Sequence, residues 1–277
     1  MSLNRQSSAG LTLLLVIMAI VTLFPLAMML LNSVKSNFSV VTNPLSLPHR
    51  LRLMNYALAW RRGHLGEAML LSLKVVVMTV IFTGSTVSLT AYSIARKKFR
   101  AWSIVSGYFL LVTTVPLTLL IFPLYEILVR LNLIGSPVML ALVYTALFTP
   151  FSLFLLRGYF LGVPIEFEEA AHVDGARSFQ IFWHVVLPLV LPGVLTVVLI
   201  VGLFSWNEFL LALTFFLGAP VKTAIVQFYA FKGGFENATA WNVMMAAGVI
   251  LVVPIIALFV FLQRKFVDGL AGGGVKG

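Results

Sequence analysis

Cysteine is absent from this sequence, which excludes disulfide bridges and thiolate metal sites and leaves the compartment open. Acids are scarce: nine Asp and Glu stand against 19 Lys and Arg in 277 residues, and charged residues make up only 10%. A soluble globular domain carries about 25% charged residues. A chain that is 60% hydrophobic, with a mean hydropathy of +1.04, does not hold itself in water. No acid or histidine falls at the centre of a long apolar run, where a charge costs about 2.5–3.5 kcal/mol or more and usually marks an ion or proton path. That absence counts against proton coupling. A P-loop is missing too: it needs Gly directly before Lys-Ser/Thr, and the one Lys-Thr pair, Lys222-Thr223, follows Val221. His49, His64, His172 and His184 are scattered without metal-ligand spacing, and no Ser/His/Asp arrangement points to a nucleophile. No catalytic or metal-binding residue is expected. Uphill transport by this chain would need nucleotide hydrolysis on another one.

What the sequence does have is long apolar runs. Several reach the roughly 20 residues that cross the hydrocarbon core, and the alternation of a β-barrel is absent. The fold class expected is an all-α membrane protein with six transmembrane helices, near residues 10–31, 70–95, 102–125, 137–156, 185–206 and 241–262. The first run is longer than a usual signal-peptide core and lacks a clean A-x-A site, so it reads as a retained span. No internal repeat, soluble domain or flexible linker interrupts residues 1–277, which read as one transmembrane domain. A polar loop with "NPLSLP" and "WRRGH" joins the first two spans.

The net charge of +10 points to anionic head groups rather than to nucleic acid, because the basic residues flank spans and form no aromatic-interleaved groove. Six spans put both termini on one side. That side collects Arg5, the basic residues of "RKKFR" (Arg96 to Arg100), Arg157, Arg177, Arg264, Lys265 and Lys276; the other holds Lys35, Arg50, Arg52, Arg61, Arg62, Lys74, Arg130, Lys222 and Lys232. The count is 10 against 9, nearly neutral, and the compact "RKKFR" turn favours cytoplasmic termini in a cell inner membrane.

Some polar and aromatic residues near the spans carry two readings. Lys74 reads as snorkelling to the interface, and Glu126 and Arg130, four apart, as a pair on one helix face. Glu208 in "SWNEF" is an interfacial anchor or part of a gate. Tyr125, Phe148 and Trp206, with Phe122 and Phe151, either pack and anchor or stack on a ligand ring; with Asn207 and Glu208 they are the pathway candidates.

The most informative stretch is "EFEEAAHVDGARSFQIFWHVVLPLVLPG", which gathers Glu166, Glu168, Glu169 and Asp174 between apolar spans. Within 164–188, Pro164 suits the start of a helix, and the three glutamates lie near the positive end of its dipole. Ala170 and Ala171 favour helix and allow close packing. Asp174-Gly175 is a stop, since Gly accepts the left-handed conformation that ends helices. Ser178 can cap a second helix, whose Phe179, Phe182, Trp183 and Val186 make one apolar face. The expected shape is a short helix, a sharp turn and an amphipathic helix at the membrane surface, leading through Leu187-Pro188 into the fifth span. It reads either as a solvated interfacial loop or as a knob gripped by a soluble partner with a basic cleft.

The residues also carry a resemblance. Glu169-Ala170-Ala171, then Gly175 and then Leu187-Pro188 are similar to the E-A-A signature of ABC importer permeases, with Val185 where the family usually has Ile. "AYSIARKKFR", "FSWNEFLLALTF" and the end "QRKFVDGLAGGGVKG" resemble the carbohydrate-uptake branch, the maltose-type second permease. The likeness covers most of the chain and is weakest over residues 32–67. It implies a type I (MetI-like) permease fold with a cytoplasmic coupling helix, a second permease in a heterodimer, two ABC ATPase subunits and an extracytoplasmic solute-binding protein delivering a sugar. ATP and Mg would be bound on the ATPase subunits, and no cofactor by this chain. Glu168, Glu169, Ala170, Ala171, Asp174, Gly175, Leu187 and Pro188 would dock on an ATPase subunit, with Glu169 facing a basic residue there. The tail Gly272, Gly273, Gly274, Val275, Lys276 and Gly277 would reach into the ATPase dimer; without the resemblance it reads as a disordered end. An amino-acid or peptide permease of the same class, and an ATP-independent transporter or channel, are the alternatives.

Overall fold

The computed structural model describes residues 3–96, 102–233 and 240–273. Every regular element among them is helical, as the long apolar runs require: in hydrocarbon a helix satisfies its own backbone groups. Among the described residues, five helices are long and apolar enough to cross a membrane, and a bent pair makes up to six. The chain divides into two compact units, Met1–Gly66 with Gln227–Pro254, and Glu67–Val226 with Ile255–Gly277.

The first unit holds α1 (Leu3–Ser33), α2 (Asn37–Thr42), α3 (Met54–Arg62) and the first part of α13 (Trp241–Gly273). The apolar part of α1, Gly10–Ser33, slightly exceeds the expected first span. Ala59, Leu65, Phe231, Val243, Ala246 and Ala247 form its core. The run Ala246-Ala247-Gly248 lets backbones come close, as small residues do between membrane helices; a Cβ on Gly248 would stand 2.9 Å from Met29 Sδ. Buried amides tie the loop to the spans. Asn55 Nδ2 donates to the carbonyls of Ser33 (2.7 Å) and Lys35 (2.8 Å), and accepts from Asn242 Nδ2 at 2.8 Å through its Oδ1.

The second unit contains α4 (Leu65–Arg96) from Glu67 onward, α5 (Trp102–Thr114), α6 (Leu117–Arg130), α7 (Pro137–Leu161), α8 (Glu166–Val173), α9 (Ser178–Ile181), α10 (Leu187–Asn207), α11 (Leu210–Phe215) and the start of α12 (Ala224–Ala230). One core cluster joins Val87 and Ala91 of α4, Leu153, Leu156 and Phe160 of α7, and Ile181 to Val201 of the α9–α10 helix. A second surrounds Tyr144, Leu140, Leu211 and Phe215. Gly193 lets α10 lie on the Tyr159 ring: a Cβ there would be 2.4 Å from it. Thr79, Thr86, Thr90, Thr145, Thr149 and Thr196 each donate the hydroxyl to a carbonyl one turn back. Glu126 and Arg130 form the expected exposed i,i+4 pair.

Two expected spans differ. The third, 102–125, is two helices bent by 93° at Val115-Pro116, and α6 runs on to Arg130. Pro116 sits extended (φ −60°, ψ 130°) before α6; its ring steers Val115 away from the helical region. The second difference concerns the fifth span. Residues 178–207 form one continuous helical stretch of 30 residues, rather than a surface helix followed by a span. Residues Phe182–Val186 adopt a π-helical turn. Pro188 has no N–H for the His184 carbonyl, and its ring would clash there in a regular helix. Widening the turn, with Leu187 N–H bonded to the Phe182 carbonyl, lets the helix pass through.

Candidate functional site

The segment 164–188 builds its site from the backbone outward. Glu166, Glu168 and Glu169 occupy the first turn of α8, where the helix dipole favours anions; the Glu168 and Glu169 N–H groups both bond the Ile165 carbonyl. The helix ends in a Schellman motif: Ala176 N–H bonds the Ala171 carbonyl (3.0 Å), Gly175 N–H bonds the His172 carbonyl (3.0 Å), and Gly175 takes φ +82°. Arg177 then stands extended at the start of α9, and the Gln180 side chain accepts its N–H at 2.8 Å. Ser178, expected to cap that helix, is its first residue, and no side-chain cap bond is its own.

The glutamates part ways. Glu168 is only 8% exposed. Its carboxylate accepts from Tyr92 Oη at 2.8 Å and pairs with Arg96, whose Nη2 also donates to the Val163 carbonyl at 3.0 Å. Two side chains at the end of α4 thereby hold both the approach to α8 and its first turn. The Tyr92 ring packs against Phe160 and Phe182, with centroids 5.7 and 5.1 Å away. Ala171 and Ala176 also turn inward and pack against the same cluster.

The opposite face of α8 is open. Glu166, Glu169, Ala170 and Asp174 are exposed, and Val173 is 88% exposed. None of the three acids has an ion-pair partner among the described residues. Phe179 and Trp183 stack on each other outside the core, with rings 14° apart, while Phe182 and Val186 of the same expected face are buried. Leu187 is half-buried against the cluster, and Pro188 is exposed.

Of the residues expected to dock, the structure therefore gathers Glu169, Ala170, Asp174 and Gly175 on one outward surface. Glu168, Ala171 and Leu187 are given to the inside. Sequence reasoning missed Tyr92 and Arg96. Their signal was present: they stand four apart in "AYSIAR", on one face of a helix. Of the tail, Gly272 and Gly273 end α13, and Gly274, Val275, Lys276 and Gly277 lie outside the described residues.

Among the pathway candidates, Trp206, Asn207 and Glu208 are consecutive at the end of α10, and Phe148 is joined to Glu208 through Tyr144. Glu208 accepts from Leu211 N–H (2.9 Å), Ala212 N–H (3.0 Å) and Tyr144 Oη (2.6 Å), so it caps α11 after the α10 helix breaks. Phe148 packs between Tyr144 and Phe204, and Asn207 Nδ2 returns to the Leu203 carbonyl. Trp206 is half-buried at the end of α10, and Tyr125 is half-buried on α6. A separate groove of about 360 Å³ runs between α4 and α7, lined by Thr86, Thr90, Thr145 and Thr149 with Phe109 and Leu142.

Residues 84–271, which hold α8, its anchors and the π turn, match the family described as the binding-protein-dependent transport system inner membrane component. The chain belongs to this family. Family members are transport permeases rather than enzymes. The chain is 34% identical over 256 residues to the sulfoquinovosyl glycerol transport system permease protein SmoH of Agrobacterium fabrum, covering 92% of this chain and 89% of that one. It is 31% identical to the diacetylchitobiose uptake system permease protein NgcG of Streptomyces coelicolor (98% and 90% covered). It is 29% identical to the arabinooligosaccharides transport system permease protein AraQ of Halalkalibacterium halodurans (99% and 100%). Its fold is similar to a chain in the crystal structure of a bacterial ABC transporter involved in the import of the acidic polysaccharide alginate, with a TM-score of 0.76, 19% identity, and 96% and 98% of the two chains covered. The fold is that of an ABC importer permease, and the protein is a multi-pass membrane component.

Proposed function

We propose that this chain is one of two permease subunits in an ATP-driven importer of a sugar or oligosaccharide, and that α8 couples it to an ATPase subunit. The whole chain serves as one permease domain in a cell inner membrane, with cytoplasmic termini. ATP and Mg are bound on two ATPase subunits, no cofactor on this chain, and an extracytoplasmic binding protein delivers the solute. The carbohydrate assignment is supported by the names of the relatives. The threonine-lined groove suits it: hydroxyls that have spent their protons on their own helix offer lone pairs to the O–H groups of a saccharide.

The coupling role is supported by one observation above the others. The inner side of α8 is fixed by Glu168, Tyr92 and Arg96, and the outer side leaves Glu169, Ala170 and Val173 without intramolecular use. A helix pinned on one face and open on the other acts as a lever. Closure of the ATPase subunits pushes the open face, and the pinned face passes the displacement to α4, α7 and the π turn. In this reading the tail, Gly272 to Gly277, supplies a further contact for the ATPase dimer.

Glu169→Lys is expected to lower both transport and substrate-stimulated ATPase activity severalfold, while the chain still inserts and binds its partner permease. The decisive experiment is a gentle-detergent pull-down of the tagged wild-type chain and of this variant, with partners identified and ATPase activity assayed. Unchanged stimulation in the variant removes Glu169 from the docking surface. Recovery of the wild-type chain alone, with transport indifferent to ATP depletion, replaces the importer reading with an ATP-independent transporter.

A further inference from the structure

The first 66 residues contain no Asp or Glu, yet the stretch after α1 carries Lys35, Arg50, Arg52, Arg61 and Arg62. The fold brings part of this charge together. Lys35, Arg50, Arg52 and His49 line a cavity of about 190 Å³ with Ser36 and Ser39. Lys35 is 2% exposed, and its ammonium donates to the carbonyls of Pro44 (2.7 Å) and Asn43 (3.4 Å). Those two bonds hold the turn after α2 but leave the positive charge without a carboxylate among the described residues. A buried cation lacking a counter-ion is costly, and an oxyanion in the cavity would supply it. Arg50 and Arg52 are exposed at its rim and form no ion pair among the described residues.

What surrounds the cavity indicates where the oxyanion comes from. Phe38, Val41, Leu45, Leu47, Leu51 and Leu53 are each at least 62% exposed. A patch of this kind in water would be an aggregation liability. The apolar part of α1 ends at Ser33, two residues before Lys35, so the segment lies at the level of the head groups. Cations interleaved with exposed leucines at that level are what an interfacial element needs: apolar side chains among the acyl chains, charge on the phosphates.

We propose that residues 35–53 form a binding site for an anionic phospholipid, whose phosphate sits in the Lys35–Arg50–Arg52 cavity while Phe38 and the neighbouring leucines hold its acyl chains. The site anchors the loop after α1 at the membrane surface and neutralises its charge. It is independent of the coupling role of α8.

The test uses the full chain in its purified assembly, equilibrated with mixed micelles of dioleoylphosphatidylglycerol or dioleoylphosphatidylcholine, with retained lipid counted by native mass spectrometry. The wild type is expected to retain phosphatidylglycerol, and Arg50→Gln/Arg52→Gln to weaken that retention roughly thirtyfold, about five- to sixfold for each charge. Both arginines are exposed, so the variant keeps its fold; an unchanged gel-filtration profile checks this. Phe38→Ser/Leu47→Ser, which leaves the charges in place, is expected to lower retention as well. Equal phosphatidylglycerol retention by wild type and the arginine variant overturns the proposal. So does inorganic phosphate binding that the arginine change abolishes while lipid retention stays the same, because the cavity then serves a soluble anion.

Discussion

Removing Glu168 leaves Arg96 in a low-dielectric pocket with a carbonyl as its remaining partner, and leaves the Tyr92 hydroxyl without an acceptor. Breaking a buried pair from one side costs about 3–5 kcal/mol, because the other charge stays behind. Glu168→Ala is therefore expected to lower the Tm of the purified assembly sharply. Tyr92→Phe, which removes one hydrogen bond to a charged group, costs about 1.5–3 kcal/mol. Glu168→Gln keeps an acceptor for Tyr92 and falls between wild type and Glu168→Ala. Thermal melting in detergent ranks the three. A Glu168→Gln protein that melts like wild type but no longer recruits ATPase would return Glu168 to the docking surface. Glu168 and Glu169 adjoin in sequence and differ by about 100° around a helix, and composition cannot say which faces the core. That is decided by Tyr92 and Arg96, 76 and 72 residues away. The E-A-A spacing marks the segment; the partner that turns one glutamate inward is a long-range fact.

At the scale of elements, the turn after α8 depends on one backbone angle. Gly175 lies at φ +82°, with nothing within 4 Å of where a Cβ would be. Any penalty for a side chain there comes from the backbone alone, about 1–2 kcal/mol for the left-handed region and more for a β-branched residue. Gly175→Val is expected to reduce recovery of the assembled complex, and Gly175→Asn to stay close to wild type, since Asn tolerates that region. Equal losses in both variants would mean that the exposed surface, and not the turn, is what Gly175 provides. This turn was legible because Asp-Gly after an alanine pair is a local signal. The spans were legible for the same reason: hydropathy over 20 residues is a property of the run itself. The bend at Val115-Pro116 and the π turn before Pro188 were harder to see. Both lie in largely apolar sequence, and a proline there either breaks a helix or is absorbed by it according to what packs beside it. Pro188 is absorbed because Phe182 and Val186 are buried against α4 and α7; the exposed residues around Pro116 have no such support.

For the whole molecule, the open quantity is orientation, and the missing cysteines make it measurable. On the six-span reading, basic residues divide 10 against 9 between the two sides, so the charge rule that usually sets topology is close to balance. Three of the ten, Lys97, Lys98 and Arg100, follow α4 directly in sequence. Replacing these three with Gln makes the count 7 against 9 and inverts the bias. Two single-cysteine reporters in an otherwise cysteine-free chain read the result: His49→Cys in the loop after α1 and Asp174→Cys after α8, each labelled in intact cells by a membrane-impermeant maleimide. With cytoplasmic termini, His49→Cys is labelled and Asp174→Cys is protected. In the triple-Gln background, labelling of His49→Cys is expected to fall and that of Asp174→Cys to rise, as a fraction of chains inserts inverted. Unchanged labelling in that background would mean that the spans and their partners, rather than the "RKKFR" charges, fix the topology. Labelling of Asp174→Cys without His49→Cys in the wild-type background would place the termini outside, and α8 could then not reach a cytoplasmic ATPase.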